Sequence, residues 1–360
     1  MINSVHIIGS RQIGGAERFL MRLVGELNQH DDHRAVVVIR PNSPLRSFLS
    51  GSIEQSHVPM RNGWDILSFL SIRRFINKTR PQIVQTYMGR ATRLTHVPAK
   101  SHAVHVARLG GYYKIKGYYE HADAWIGNTR GLCDYLVASG MPAQKVYLIG
   151  NFVEMAEPTP SEELDGLRRS LSIPSDALIL FSLGRFNHQK GFEDLLEAFS
   201  LLPEEIHHRP LYLCVAGDGP LKQALHSQAH NLRIHDRLVW LGWQENPAPY
   251  YDLADVMICS SRHETLGNVI LEAWSHHLPV ISTAAPGPAE IIKDGENGIL
   301  VPCRAPRKLS GAIENLVKEG SRLWNTLAEQ GTRTLLAHHS KESVVRKYLQ
   351  MYEELLGNNS

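Results

Sequence analysis

The sequence predicts an α/β protein built from two largely parallel sheets, one in each half of the chain. Three observations carry this. Short apolar runs alternate with amphipathic helical stretches through the amino half. The same alternation starts again at Leu178. Between the two lies Asn151 to Leu164, NFVEMAEPTPSEEL, where two prolines and four glutamates interrupt the apolar pattern and read as a hinge linker. At 360 residues the chain has material for two ordinary domains. The expected division is 1–155 and 156–340, with a last helix, 341–358, added to the first domain.

In the amino half, Val5 to Gly9 reads as a first strand. Glu17 to Leu27 follows as a helix presenting Phe19, Leu20, Leu23, Val24 and Leu27 on one face. Further strands are expected over Ala35–Ile39, Ile83–Thr86, Ala103–Arg108 and Ala124–Asn128, with helices over Asp65–Lys78 and Arg130–Ser139. Gly14 and Gly15 fit a tight turn that lets backbone approach a ligand, although an ordinary strand-to-helix turn explains them as simply. No G-x-G-x-x-G follows the first strand, which leaves a dinucleotide site little support. Gly110 to Tyr119 holds four tyrosines, two lysines and three glycines, and reads as a flexible amphipathic loop. It suits an acceptor pocket, a lipid headgroup surface or simple packing on a neighbour. Arg73, Arg74, Lys78 and Arg80 form a second basic patch nearby in sequence.

In the carboxyl half, strands are expected over Leu178–Leu183, Leu211–Ala216, Leu238–Leu241, Val256–Cys259 and Val280–Thr283. Helices fall between them, for example over Phe192–Leu201 and Pro220–His230. Asp294-Gly295 and Asn297-Gly298 mark turns around a short strand at Ile299–Val301. Three helical patterns close the chain from Pro306 to Asn358.

Composition narrows the function. The net charge of +2 makes no demand for nucleic acid. The four cysteines are dispersed without a C-x-x-C, as expected of reduced, buried thiols in a cytosolic protein. There is no basic head followed by an apolar core, and no run near eighteen apolar residues. A cytoplasmic protein is expected, with peripheral contact at the inner face of a membrane left open. The histidine pairs lack a third partner at metal-ligand spacing.

The chemistry concentrates between Ser260 and Glu290. Glu264 stands at the carboxyl end of an expected strand and Glu272 eight residues on. In an open α/β sheet that edge is where ligands bind. Eight residues of helix would rise about 12 Å, roughly a sugar diphosphate with its ribose. Free backbone N–H groups around Gly267 and Asn268 would lie between the two carboxylates. On spacing alone, a helix-capping Glu264 and a solvated Glu272 account for the pair better. Arg185 and Lys190 follow the strand Leu178–Leu183 and suit the charge of a departing diphosphate. Asp218, between two glycines, reads as a structural cap.

Glu264, Gly267 and Glu272, followed by PVIST and GPAEII, resemble the E-x7-E motif of retaining GT-B glycosyltransferases of family 4. Three more stretches match in order: Gly14-Gly15-Ala16-Glu17, SLGRFNHQKG from Ser182 to Gly191, and VAGDGP from Val215 to Pro220. The resemblance implies two Rossmann-like domains facing a cleft, with Val344–Leu356 crossing back to the amino-terminal domain. It implies a hexose carried on a UDP- or GDP-sugar, with Glu264, Arg185 and Lys190 at the reacting centre. Gly14, Gly15, residues 265–268 and Glu272 would bind donor, Glu264 holding the sugar and Glu272 the ribose. The stretch Gly242 to Tyr251 would meet the base through backbone.

No metal and no cofactor are expected, and Asp-x-Asp does not occur. The acceptor would be a glycan or glycolipid, as in lipopolysaccharide core or other cell-surface polysaccharide synthesis. The chain departs from the family pattern where many members carry a histidine beside the reacting carbon. Arg108 stands there instead, with Tyr112 and Tyr113 just beyond, so the acceptor-side group stays open. The alternatives are a donor-binding protein without catalysis and a GT-B-like nucleotide-sugar epimerase.

Overall fold

The computed structural model describes residues 1–49 and 53–357, so Asn358, the expected end of the last helix, lies outside the described residues. The chain forms two compact units, Met1–Phe152 with Lys341–Ser360, and Val153–Ser340.

The first unit runs β1 (Ile2–Ile8), α1 (Gly15–Leu27), β2 (His33–Ile39), α2 (Leu45–Phe48), β3 (Gln55–His57), α3 (Ile66–Thr79), β4 (Ile83–Tyr87), α4 (Met88–Leu94), β5 (Val104–Leu109), β6 (Ala124–Gly127), α5 (Arg130–Ala138) and β7 (Val146–Leu148). Its sheet has the order β3-β2-β1-β4-β5-β6-β7, with every pair parallel. Strand order reverses between β1 and β4, the position at which doubly wound sheets open a crevice at their carboxyl edge. Such strands are covered on both faces, which is why they read as unbroken apolar runs.

The last helix, α14 (Lys341–Gly357), returns to this unit. Val344, Val345, Tyr348, Met351, Tyr352 and Leu355 join α1's Phe19, Leu20 and Leu23 in one apolar core. Lys341 pairs with Glu26 of α1 at 3.3 Å. Beneath α14 lies a buried polar chain that the apolar pattern hides. Tyr352 donates to Gln85 Oε1 (2.7 Å), whose amide donates to Tyr87 Oη (2.6 Å). Tyr87 in turn meets His6 Nδ1 (2.9 Å), and Ser4 Oγ lies 3.0 Å from His6 Nε2 and 2.9 Å from His33 Nε2.

The second unit runs α6 (Ser161–Ser170), β8 (Leu178–Leu183), α7 (Phe192–Ser200), β9 (Glu205–Ile206), β10 (Arg209–Ala216), α8 (Lys222–Asn231), β11 (Leu238–Gly242), α9 (Ala248–Leu253), β12 (Val256–Cys259), α10 (Asn268–Ser275), β13 (Val280–Thr283), α11 (Pro286–Ile291), β14 (Ile299–Val301), α12 (Pro306–Glu319) and α13 (Ser321–His338). The sheet order is β11-β10-β8-β12-β13-β14, with β9 antiparallel to β10 at the margin. The chain lays β10 and β11 on one side of β8, then crosses to place β12 on the other. The switch point therefore falls between β8 and β12.

Three expectations change. The hinge linker is shorter than its composition suggested, because Ser161 onward is helix α6 and the prolines sit just ahead of it. Phe152 is buried in the first unit's core and Val153 in the second's. The stretch from Gly110 to Tyr119 is not a free loop. Ile115 and Tyr119 are core residues there, and the Trp125 indole donates to the Tyr119 carbonyl (2.9 Å). Of the four free thiols, only Cys214 and Cys259 are fully buried.

Burial sets an acid limit on the first unit. It holds His6 down to about 3, with His33 adding repulsion, and holds His33 down to about 4. Burial and the nearby His121 likewise hold His105 down to about 3. These rings stay neutral in the folded chain, whereas an unfolded histidine titrates near 6.5. Their contribution is therefore complete above 6.5 and is lost progressively as pH falls toward 3 to 4. Each such ring costs about 1.4 kcal/mol per pH unit inside that window. Thermal melts should shift steadily downward below pH 6.5, with a shallower slope in His33→Gln. A melting temperature flat from neutral pH down to 4 would contradict the assignment.

Candidate active site

Three loops at the carboxyl edge of the second sheet converge on the switch point. They follow β8 (residues 184–191), β12 (260–267) and β13 (284–285, leading into α11). The first two are joined by backbone. Gln189 O accepts from Arg262 N (2.8 Å) and His263 N (3.1 Å), and Ser260 Oγ donates to Lys190 O (3.0 Å). The approach is close enough to dictate Gly191. It has φ +63°, and a Cβ there would lie 2.2 Å from Ser260 O. The third loop docks where Gly287 N donates to Glu264 O (2.9 Å). A Cβ on Gly287 would lie 2.3 Å from the Thr265 carbonyl.

Arg262 locks this arrangement from behind. Its guanidinium grips Asp194 through two bonds (2.7 and 2.6 Å) and reaches Glu193 at 3.1 Å, both in the first turn of α7. Planar two-point pairing of this kind fixes orientation as well as position.

The front of the site carries the charges. Lys190 Nζ forms an ion pair with Glu264 Oε2, and Ser261 Oγ also donates to that oxygen (3.3 Å). The two side chains are 25% and 16% exposed, so the pair is largely out of water. Burial pulls the Lys190 pKa down, but Glu264, Cys259 and Glu272 together hold it above the ordinary lysine value. Lys190 is therefore a fixed cation with two carboxylates in electrostatic reach.

Arg185, in the same loop, is exposed, and no ion pair holds it among the described residues. Glu272 accepts a hydrogen bond from Tyr251 Oη (3.0 Å), and Tyr251 stacks on His276, which pairs with Asp252 at 2.6 Å. Burial, with Glu272 alongside, raises the Tyr251 phenol well above its usual pKa, so it serves as a donor.

The span between the carboxylates differs from the expectation. Helix α10 begins only at Asn268, after Gly267 in the left-handed region at φ +90°. Glu264 thus precedes the helix, and Glu272 lies about one turn inside it. Thr265 and Asn268 are half-buried, while Leu266 and Gly267 are buried. Asp218 does not cap α8, whose N-cap is Leu221 without a side-chain bond; it accepts from Gly219 N (2.7 Å) and pairs with the Lys222 side chain (3.0 Å).

The remaining candidates lie in the first unit. Gly14 caps α1, with its N–H donating to Glu17 Oε2 (2.8 Å); Gly15 opens the helix. Glu17 also accepts from Ser10 Oγ and is buried. Arg108 is buried on β5, donating to Tyr348 Oη (2.8 Å) and Asn151 Oδ1 (2.6 Å) with its guanidinium 4.0 Å over the Phe19 ring. Those contacts give it a structural tie to α14 in addition to any acceptor-side role. Tyr112 is half-buried, edge-on to Tyr135, and Tyr113 is at the surface. Burial and then Glu17 raise the Tyr113 pKa, while Arg108 opposes them.

Sequence reasoning missed Arg262, Asp194 and Tyr251. Only the acidic first turn of α7, Glu193-Asp194, hinted at a cation nearby.

Similarity to known proteins gives the family and the fold. A model described as glycosyl transferases group 1 matches residues 165–334, and one described as glycosyltransferase family 4 matches residues 13–157. The lipopolysaccharide core biosynthesis glycosyltransferase LpsE of Rhizobium meliloti is 33% identical over 340 residues, covering 94% of this chain and 95% of that protein. The chain belongs to glycosyltransferase family 4. LpsD of the same organism, also named a lipopolysaccharide core biosynthesis glycosyltransferase, is 29% identical, with 94% and 95% coverage. The crystal structure of Anabaena HepE in complex with UDP-glucose superposes with a TM-score of 0.85 at 18% identity, covering 99% of this chain and 100% of that one. The glycosyltransferase thus has the GT-B fold of two Rossmann-like domains.

The clamp makes a testable demand. Arg262→Ala leaves Asp194 and Glu193 facing a vacated site, and should cost the glycosyltransferase about 1–3 kcal/mol. Arg262→Lys should recover only part of this, because an ammonium cannot reproduce the fork. Calorimetry of both variants checks it, and an unchanged melting temperature in Arg262→Ala would contradict the clamp.

Proposed function

We propose that the chain transfers a hexose-type sugar from a UDP- or GDP-sugar to a hydroxyl of a glycan or glycolipid, with retention of anomeric configuration and without a metal. The observation that carries the proposal is the half-buried Lys190–Glu264 pair at the switch point of the second sheet, with Arg185 exposed in the same loop as Lys190. A held cation and an exposed one in the same loop at a carboxyl edge suit a diphosphate whose charge grows as it leaves. A carboxylate next to them, already oriented by Ser261 and Lys190, suits the hydroxyls of the attached sugar. The names of the two Rhizobium relatives support an acceptor of the lipopolysaccharide core type. A glycolipid acceptor would be met at the inner face of a membrane.

In this reading the bond from the anomeric carbon to the diphosphate oxygen breaks as the acceptor oxygen bonds to that carbon from the same face. The acceptor's proton passes to the departing diphosphate, the nearest base on that face, and Arg185 and Lys190 hold the resulting charge. Gly14 and Gly15, with Tyr112 and Tyr113, are assigned to the ligands of the first unit. Arg108 is kept as a support for that side.

Turnover separates this from donor binding without catalysis. Arg185→Ala should lower the rate of sugar transfer about a hundredfold, on the order of 3 kcal/mol, with no loss of stability. Wild-type turnover should survive EDTA. A chelator-sensitive rate restored by magnesium, or full activity in Arg185→Ala, would overturn the metal-free account.

The two glutamates should divide the donor between them. Glu272, assigned to the ribose, meets a part shared by the sugar nucleotide and the bare nucleoside diphosphate, so Glu272→Ala should weaken both by about 1.5–3 kcal/mol. Glu264→Gln should leave the bare diphosphate nearly unaffected while weakening the sugar nucleotide or its turnover. Isothermal titration of both variants with both ligands reads this directly. Equal losses for the bare diphosphate in the two variants would refute the division.

A further inference from the structure

Helix α3 of the first unit carries an apolar surface that the fold does not cover. Its buried face is narrow, with Ser68, Ile72 and Ile76 turned inward. Outside, Trp64 is 77% exposed, Ile66 71%, Leu67 68% and Leu70 53%. Scattered single exposures of this kind need no explanation, but four large apolar side chains within seven residues form a patch.

The patch is built rather than frayed. Asp65 caps the helix, accepting from Ser68 N (3.2 Å), and also accepts from Arg61 N (3.0 Å). The Trp64 ring is held under the Arg93 guanidinium at 3.5 Å, and Arg93 also lies 4.7 Å over Tyr118. An exposed tryptophan is therefore kept in one orientation.

Charge identifies the occupant. Past Leu70 the outer face of α3 turns basic, with Arg73, Arg74 and Lys78 exposed, and the helix carries no acidic residue. An apolar first turn followed by exposed cations matches an anionic bilayer, where apolar side chains enter the acyl boundary and cations stay among the headgroups. A second copy of the chain fits poorly. Twofold packing of this face on itself would set cations against cations when the helices run parallel. It would set cations against Ile66 and Leu67 when they run antiparallel.

Direction completes the argument. α3 joins parallel strands β3 and β4, so it runs against them and its first turn lies at the carboxyl edge of the first sheet. Trp64 therefore lies at the edge where Tyr118 and Tyr113 follow β5. We infer that the Trp64–Lys78 face of α3 is a docking surface for an anionic lipid bilayer, seated so that a lipid-linked acceptor meets the carboxyl edge of the amino-terminal sheet. The inference rests on the glycolipid reading of the acceptor for its purpose, while its chemistry stands on α3 alone.

The test is sedimentation of the full chain with sucrose-loaded vesicles of phosphatidylcholine, alone or with roughly one third phosphatidylglycerol. Wild-type protein should pellet with the anionic vesicles and not with the neutral ones. Leu67→Ser with Leu70→Ser should weaken this by about tenfold or more. Arg73→Gln with Arg74→Gln should weaken it on the order of twentyfold, and the remaining binding should respond less to salt. All four side chains are exposed, so melting temperatures should match wild type, and slow release of nucleoside diphosphate from a soluble donor should be unchanged in both variants.

Absence of pelleting, equal pelleting with neutral vesicles, or wild-type binding in both variants would overturn the proposal. So would a wild-type dimer, seen by light scattering, that the leucine variant dissociates. Failure of donor turnover in the wild type would strike at the transfer reading and leave the vesicle result standing, so the two are separable.

Discussion

The second unit is organised around a cation and a carboxylate that neither helix nor strand demands. Removing Lys190 and Glu264 from water is costly, and the loss is recovered only when each keeps its partner and further hydrogen bonds. Ser261 supplies one such bond, and Glu272 adds negative potential around the ammonium. The pair therefore requires two loops from different strands to be held against one another. That requirement explains the backbone bonds from Arg262 and His263 to Gln189, and the absence of a side chain at residue 191. Arg262, facing the opposite way, spends its charge on α7 and so takes no part in the front of the site. Three cations lie within one short region, and geometry gives each a different task.

In the first unit the corresponding constraint is polar but buried. The run from Tyr352 through Gln85, Tyr87 and His6 to Ser4 and His33 ties α14 to three adjacent strands. An apolar interface could hold the helix as tightly. Hydrogen bonds that must all be satisfied also fix its rotation and register, since a slip of one residue would strand several buried polar atoms. Arg108 extends the same logic, joining β5 to Tyr348 of α14 and to Asn151. A cation in that position can polarise nearby groups but cannot take up a proton, and this separates it chemically from a histidine.

Much of this architecture was legible in the sequence. The βα alternation, both sheets and most of the main strands follow from apolar periodicity, because parallel strands buried on both faces leave an unmistakable signal, whereas the return of the last helix was legible only through the family resemblance. Short edge strands such as β3 and β7 were missed, whereas the equally short β14 was marked by the turns Asp294-Gly295 and Asn297-Gly298. The first turn of helix α6, through Leu164, was read as linker because its glutamates follow two prolines and only Leu164 and Leu167 of the helix pack on the core. At the site, Glu264, Lys190 and Arg185 could be named from motif spacing, but not that Lys190 and Glu264 already hold each other. Arg262 and Tyr251 were invisible for a different reason: their partners are 68 and 21 residues away, and pairing over such distances leaves no mark in a single sequence.

The pairing of Lys190 in the free chain bears on how a ligand would be received. A bare lysine at a phosphate site is mobile and strongly hydrated, and ordering it on binding costs entropy. Held by Glu264, Lys190 has already met that cost, and its three N–H donors leave room for phosphate oxygens beside the carboxylate. On the proposed reading, the donor sugar displaces no ion pair; its diphosphate joins one. Lys190 would then be shared between a carboxylate that stays and a diphosphate that gains charge as its bond to the sugar breaks. An ammonium between two anions responds to whichever becomes more negative, so its pull would grow along the reaction without any residue moving far. Arg185, held by no ion pair among the described residues, is the group left to adjust, and its exposure gives it the freedom to do so.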